Sequence, residues 1–225
     1  MIEGLRVLVV APRYGAAVVG GSESHARLLA ERLARRHRVE VATTTALDHW
    51  TSPPHYPAGS DEVDGVRVHR FAVRAGRPAD LEAFERKVLL EEHTLADELA
   101  WLRLRGPDVP ELYEFLHREG GRFDAIVFFR YTDAPTALGL PLVPERAALV
   151  PAADEEGPLH LAPYRALFHL PRAIGFLTPE ERDLVHRTFR NEQVPHEVLG
   201  IGLAPPPHDF DARLERLLAL TAFDA

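Results

Sequence analysis

The sequence predicts an α/β fold, a doubly wound parallel sheet with helices on both faces, and three observations carry that prediction. Short runs that are almost wholly apolar recur along the 225 residues, helical periodicities lie between them, and the first two runs with their intervening helix make a complete β-α-β unit. Strands covered on both faces read as continuous apolar segments, and a parallel neighbour is reached only through a crossover such as a helix.

Residues 5–10 are apolar apart from Arg6 and form the first strand, followed by a glycine-bearing loop. Over residues 22–36, Ala26, Leu29, Ala30 and Leu33 recur at helical spacing, with Ser22 as a cap, Glu23 at the positive end and Arg35 and Arg36 at the negative end. Residues 39–44 form a second strand. Residues 49–64 hold three prolines, a glycine and several polar residues, which predicts a surface excursion. Residues 66–73 alternate as a third strand. Residues 80–105 read as one long helix, acidic early and carrying Arg103 and Arg105 late, closed by Gly106 and Pro107.

A shorter helix over 109–119 ends at Gly120 and Gly121. The apolar strands Ala125–Phe129 and Ala147–Val150 follow, separated by a short helix near 136–138, and residues 173–177 make another strand. Thr178, Pro179, Glu180 and Glu181 form a helix start, with Thr as N-cap, Pro at the first position and Glu181 closing a capping box. Residues 196–199 are the last expected strand. Pro205, Pro206 and Pro207 end regular structure, so the expected division is a domain over 1–207 and, over 208–225, an amphipathic helix or linker carrying Leu214, Leu217, Leu218 and Leu220.

Composition removes several function classes. With 26 basic against 34 acidic side chains, a net charge of −8 offers no general field for nucleic acid or an anionic membrane. The absence of cysteine removes disulfides, thiolate nucleophiles and cysteine-ligated metals. Residues 1–5 lack the basic and apolar regions of a signal peptide, and no run approaches the roughly 20 apolar residues of a membrane span, so a cytoplasmic protein is expected.

In such a sheet, ligands bind beyond the carboxyl ends of the strands, where strand order reverses. Three loops should meet there: 12–21, 130–133 and 151–157. Gly20 and Gly21 stand directly before a helix, where bare backbone N–H groups face an anion or else make a tight turn. The loop is neither a P-loop nor the G-x-G-x-x-G fingerprint. Arg13 and Tyr14 in it are candidates to hold a phosphate or stack on a sugar. Asp154, Glu155 and Glu156 repel one another unless solvated or employed, so they read as ligand-hydroxyl acceptors or a general base, or as a solvated turn. Arg130 with Tyr131 would balance that charge, as an internal ion pair or a phosphate clamp. Asp209 and Asp211 have the D-x-D form of a metal and nucleotide-sugar site, but precede a helix where Asp is an ordinary cap. The scattered histidines include no H-E-x-x-H, and there is no G-x-S-x-G elbow, so no metal site is expected.

Taken in order, RVLVVAP at 6–12, GGSE at 20–23, the helix with Leu28, Leu29, Ala30 and Leu33, RVEVAT at 38–43, FDAIV at 123–127, the acidic loop after Val150 and Pro151, FLTPEER at 176–182 and GIG at 200–202 resemble the amino-terminal half of family 4 glycosyltransferases, which have the GT-B fold. The resemblance implies a single Rossmann-like domain, the acceptor-binding half of a retaining, metal-independent enzyme that takes a nucleotide sugar as donor substrate and needs no cofactor. Gly20 and Gly21 would approach the donor diphosphate or an acceptor phosphate, with Ser22 and Glu23 in the same loop. Asp154, Glu155 and Glu156 align where members close to this chain read His-Asp-Glu, and Arg130 stands where many carry His. The implied partners are a sugar or glycan acceptor and a separate donor-binding domain, because no second β-α-β series and no E-x7-E pattern follows Pro207. The chain alone is then expected to be a monomer without transfer activity. A stand-alone module for a sugar or phosphorylated metabolite is the second expectation. A nicotinamide-dependent oxidoreductase, third, lacks its glycine fingerprint.

Overall fold

The computed structural model of the chain describes residues 4–48 and 54–201. Among them, eight strands form one sheet: β1 (Arg6–Val10), β2 (Arg38–Thr44), β3 (Gly59–Val63), β4 (Val66–Phe71), β5 (Ala125–Phe129), β6 (Ala147–Val150), β7 (Ala173–Phe176) and β8 (His196–Val198). Their order is β3-β4-β2-β1-β5-β6-β7-β8, and every pairing is parallel except β3 with β4. Beside them lie α1 (Gly21–Ala34), α2 (Leu81–Leu90), α3 (Leu95–Arg105), α4 (Pro110–Glu119), α5 (Ala134–Gly139), α6 (Ala162–Leu167) and α7 (Pro179–Phe189). The doubly wound parallel sheet is therefore present. The parallel strands run outward from β1 through β2 to β4, with β3 folded antiparallel onto that edge, and from β5 the other way through β6, β7 and β8, so the reversal lies between β1 and β5.

Alternation along the strands divides the core between two faces. Leu8 and Val10 of β1 join Ile126, Phe128, Leu149 and side chains of α2, α3, α4, α6 and α7 in the larger cluster. Val7 and Val9 join Val41, Phe129 and Val150 in the smaller one, where, among the described residues, α1 alone supplies helical residues through Ala26 and Ala30, with Leu29 and Leu33 beside them.

The chain departs from its predicted elements in several places. The segment 80–105 is two helices, because Thr94 begins a new one. Its Oγ1 accepts from the Asp97 N–H at 3.2 Å while its own N–H donates to Asp97 at 2.9 Å, a capping box that replaces the continuous ladder. Those bonds and Lys87, 3.0 Å away, lower the Asp97 carboxyl to about 2. The excursion at 49–64 contains β3, an exposed edge strand joined to β4 through Asp64 and Gly65, both with positive φ. An Asp-Gly pair is a strong hairpin signal, and the acidic edge discourages further pairing. The strand expected over 66–73 ends at Phe71. α1 starts at Gly21 with Gly20 as its N-cap and no side-chain cap, so Ser22 lies within the first turn. The strand expected over 196–199 is β8. The triple proline, Asp209, Asp211 and the amphipathic segment 213–220 lie outside the described residues, as does the boundary at 207.

Candidate functional site

The loops that leave β1 and β5 meet at the reversal point. Arg13 from the first loop donates through Nη2 to Glu23 in the first turn of α1, and both are buried, 3% and 6% exposed. This pair ties the loop to the helix start. A Cβ on Gly20 would collide with the Glu23 carboxylate, whereas one on Gly21 would meet nothing within 4 Å. Of the two glycines, only Gly20 is required by close approach. Tyr14 is 1% exposed and packs within the smaller core, so its ring is not presented for stacking on a sugar. Burial pushes its hydroxyl up to about 12. Arg70, also buried, donates to the Tyr14 carbonyl at 2.7 Å and holds the loop from β4.

Two non-glycine residues near the reversal adopt left-handed backbone, Arg130 with φ 63° and Ala152 with φ 50°. That conformation costs about 1–2 kcal/mol for an L-residue, and such strain concentrates where a loop must present particular groups. Arg130 does not balance the acidic loop, as one expectation had it. Its Nε lies 3.3 Å from Thr132 Oγ1 and 3.8 Å from Asp133, because the turn directs it back along its own loop. Of the two, Tyr131 is the one that reaches the acidic loop: fully buried, it donates its hydroxyl to Glu156 at 2.8 Å. Burial and that carboxylate both push its pKa upward, so it remains a donor.

The three acids of the loop after β6 are thus in different situations. Glu156 is half-buried and held by Tyr131. Glu155 is exposed, 3.2 Å from His160 and 3.4 Å from Arg187. Asp154 is exposed, with no hydrogen bond or ion pair among the described residues. The residue that sets this loop is Glu181, which sequence reasoning placed only in a capping box. Thr178 Oγ1 accepts from the Glu181 N–H at 3.1 Å as expected, but the carboxylate does not close a capping box. It accepts from the N–H groups of Ala153, at 2.7 Å, and Leu177, at 2.5 Å. Burial raises its pKa and the backbone bonds oppose that rise.

Two cavities open at this end of the sheet. The first, about 580 Å³ and predominantly apolar, lies under the glycine loop between Val19, Gly20, His25, Phe129, Val150 and Leu177. Burial lowers the pKa of His25, whose ring meets Phe129 edge-on at 5.4 Å. The second, about 450 Å³ and polar, lies between the start of α2, the end of α3 and the β5 loop. Arg77, Arg105 and Arg130 line it together with Glu82, Glu85 and Asp133. Arg105 comes from a helix end that sequence reasoning treated as structural, and Arg77 from the stretch between strand and helix that it did not single out. Among the described residues, no group of three or more His, Asp or Glu side chains could hold a metal ion, and no helix is long and apolar enough to cross a membrane.

A parallel doubly wound sheet with its crevice at the β1–β5 reversal is the fold of one Rossmann-like half of a GT-B structure. Two solved structures share it. The α,α-trehalose 6-phosphate synthase of Burkholderia multivorans matches with a TM-score of 0.50 and 12% identity over 85% of this chain and 44% of that one. The catalytic domain of starch synthase IV from Arabidopsis thaliana, bound to ADP and acarbose, matches with a TM-score of 0.51 and 15% identity over 89% of this chain and 52% of that one. The chain thus spans about half the length of the structures it matches, and at these identities the likeness is one of fold. No family model and no curated protein matches it by sequence.

Proposed function

We propose that the chain is the acceptor-binding half of a family 4-type glycosyltransferase, retaining and metal-independent, which moves a sugar from a nucleotide-sugar donor to a glycan or small-molecule acceptor. The observation that carries this reading is the crevice at the β1–β5 reversal, flanked by a glycine-loop cavity and a polar cavity, on a fold shared with half of two sugar-polymer or sugar-phosphate synthases. In this reading the backbone at Gly20, Gly21 and Ser22 faces the donor diphosphate, with the positive end of α1 behind it. Glu23 and Arg13 hold that loop rather than touching ligand. Asp154 and Glu155 are the carboxylates free to accept from sugar hydroxyls, while Glu156 is committed to Tyr131. The donor half would come from another domain on this polypeptide or another, and closure of both would assemble the charge that stabilises the leaving diphosphate. A cytoplasmic monomer fits this role.

The purified 225-residue chain, incubated with radiolabelled nucleotide sugars and sugar acceptors, is expected to give no multiple-turnover transfer with or without divalent metal. Robust transfer by the chain alone would overturn the half-enzyme reading. Gly20→Val, whose Cβ collides with Glu23, is expected to abolish nucleotide-sugar binding in the assembled enzyme, whereas Gly21→Val, which has open space, separates backbone approach from the turn itself.

A further inference from the structure

The polar cavity has two features that the architecture of the sheet does not require. The first is the uneven pairing of its three arginines, which share the wall with Glu82, Glu85 and Asp133. Arg105 is committed to Glu85 at 3.5 Å and Arg130 to Asp133 at 3.8 Å. Arg77 spends its Nε on the Arg105 carbonyl at 3.0 Å and makes no ion pair among the described residues. Burial and then the Arg105 guanidinium lower the pKa of Arg77 while Asp133 and Glu85 oppose that fall, so an anion placed within reach of its free guanidinium nitrogens would add to an incomplete compensation. The second feature is Asp133, 5% exposed, whose buried Oδ2 faces Arg130 Nε at 3.8 Å, beyond hydrogen-bond reach, and has no hydrogen-bond donor among the described residues. A buried acceptor without a donor costs free energy unless a ligand supplies one.

One molecule satisfies both features if it carries a phosphate and a hydroxyl. Guanidinium groups match the oxygens of a phosphomonoester through charge-assisted hydrogen bonds, and a neighbouring hydroxyl can donate to the free carboxylate oxygen. A volume of about 450 Å³ falls within the range of small-molecule sites, about 300–1,000 Å³. We propose that this cavity binds a phosphorylated sugar or polyol, with Arg77, Arg105 and Arg130 facing the phosphate and Asp133 Oδ2 accepting from a hydroxyl. The site deepens the acceptor-domain reading, on which its role in transfer rests: the acceptor would be a hydroxylated phosphomonoester, held beside the crevice.

The test is a titration of the ¹⁵N-labelled full chain with inorganic phosphate, glucose, glucose 6-phosphate and glycerol 3-phosphate, following arginine Nε–H signals and the backbone amides of Arg130 and Asp133. Inorganic phosphate is expected to give saturable shifts that weaken with added salt. At least one of the two organic phosphates should displace it with roughly tenfold tighter binding, whereas glucose should not. Arg77→Gln should weaken phosphate binding roughly tenfold, and Asp133→Asn should weaken the organic phosphates while sparing inorganic phosphate. Arg38→Gln, on the exposed residue that opens β2 at the far end of the strands, should change nothing. Absence of saturable phosphate shifts, or binding indifferent to Arg77→Gln, would overturn the site. Organic phosphates binding no tighter than inorganic phosphate would overturn the role of Asp133. Phosphate binding with no contribution to transfer in the assembled enzyme would leave the site and remove the acceptor reading, and transfer to neutral acceptors without phosphate binding would do the reverse.

Discussion

The cavity under the glycine loop and the cavity beside Arg77 lie toward opposite faces of the same sheet, yet they are built from opposite materials. The first uses backbone, aliphatic side chains and one histidine that burial keeps toward its neutral form. The second gathers charged side chains from three distant segments. Between them stands the buried Arg13–Glu23 pair. Its charges act on Asp133 on the polar side, and Glu23 fixes Gly20 on the apolar side. The contrast teaches that a crevice at a strand reversal can separate apolar surface from charge with one ion pair, provided that both partners are buried.

Breaking that partition should have the largest effect. Arg13→Met leaves the Glu23 carboxylate buried and alone, and urea unfolding is expected to show a loss of about 3–5 kcal/mol. The double variant Arg13→Met with Glu23→Leu should recover most of that loss, because removing both charges removes the desolvation problem. A single-variant loss no greater than that of an exposed pair would mean that the two cavities are not divided in this way. A smaller effect is expected at Tyr131→Phe, which removes the donor to Glu156. About 1 kcal/mol should be lost, with the Glu156 carboxylate turning to solvent. An unchanged denaturation midpoint would detach the acidic loop from the polar side.

The smallest effect sharpens the comparison through pH. Burial holds the Asp133 carboxyl above its ordinary pKa, so the folded chain keeps a proton that the unfolded chain has already released. Stability from this group is therefore full below the ordinary carboxylate range and falls as pH rises from about 4 through the raised value. Glu181, also raised, contributes with the same sign. Asp133→Asn should flatten part of that decline in thermal midpoints measured across pH, and an unaltered slope would show that the carboxylate is stabilised by its arginines after all.

The sheet was legible in the sequence because β1, β5 and β6 must be apolar on both faces, and the glycine loop because Gly20 and Gly21 are adjacent in the chain. The break at Thr94 was legible in principle, since Thr94 and Asp97 have capping-box spacing, but helical periodicity continued on both sides and masked it. The Asp64-Gly65 hairpin was hidden by the proline-rich stretch before it. The polar cavity was not legible. Arg77, Arg105 and Arg130 are separated by more than 20 residues each and stand in a chain with 26 basic residues, so nothing local distinguishes them. Tyr14 shows the opposite failure, for its place in a loop suggested exposure while the smaller core engulfs it.

Glu181 accepts one backbone proton from the loop after β6 and another from the loop after β7, with a single carboxylate at the start of α7. The two loops are thereby yoked. Neither can swing away without rupturing its bond to Glu181 or dragging its neighbour. A displacement of Ala152 and Ala153 is thereby linked to the first turn of a helix that they do not belong to.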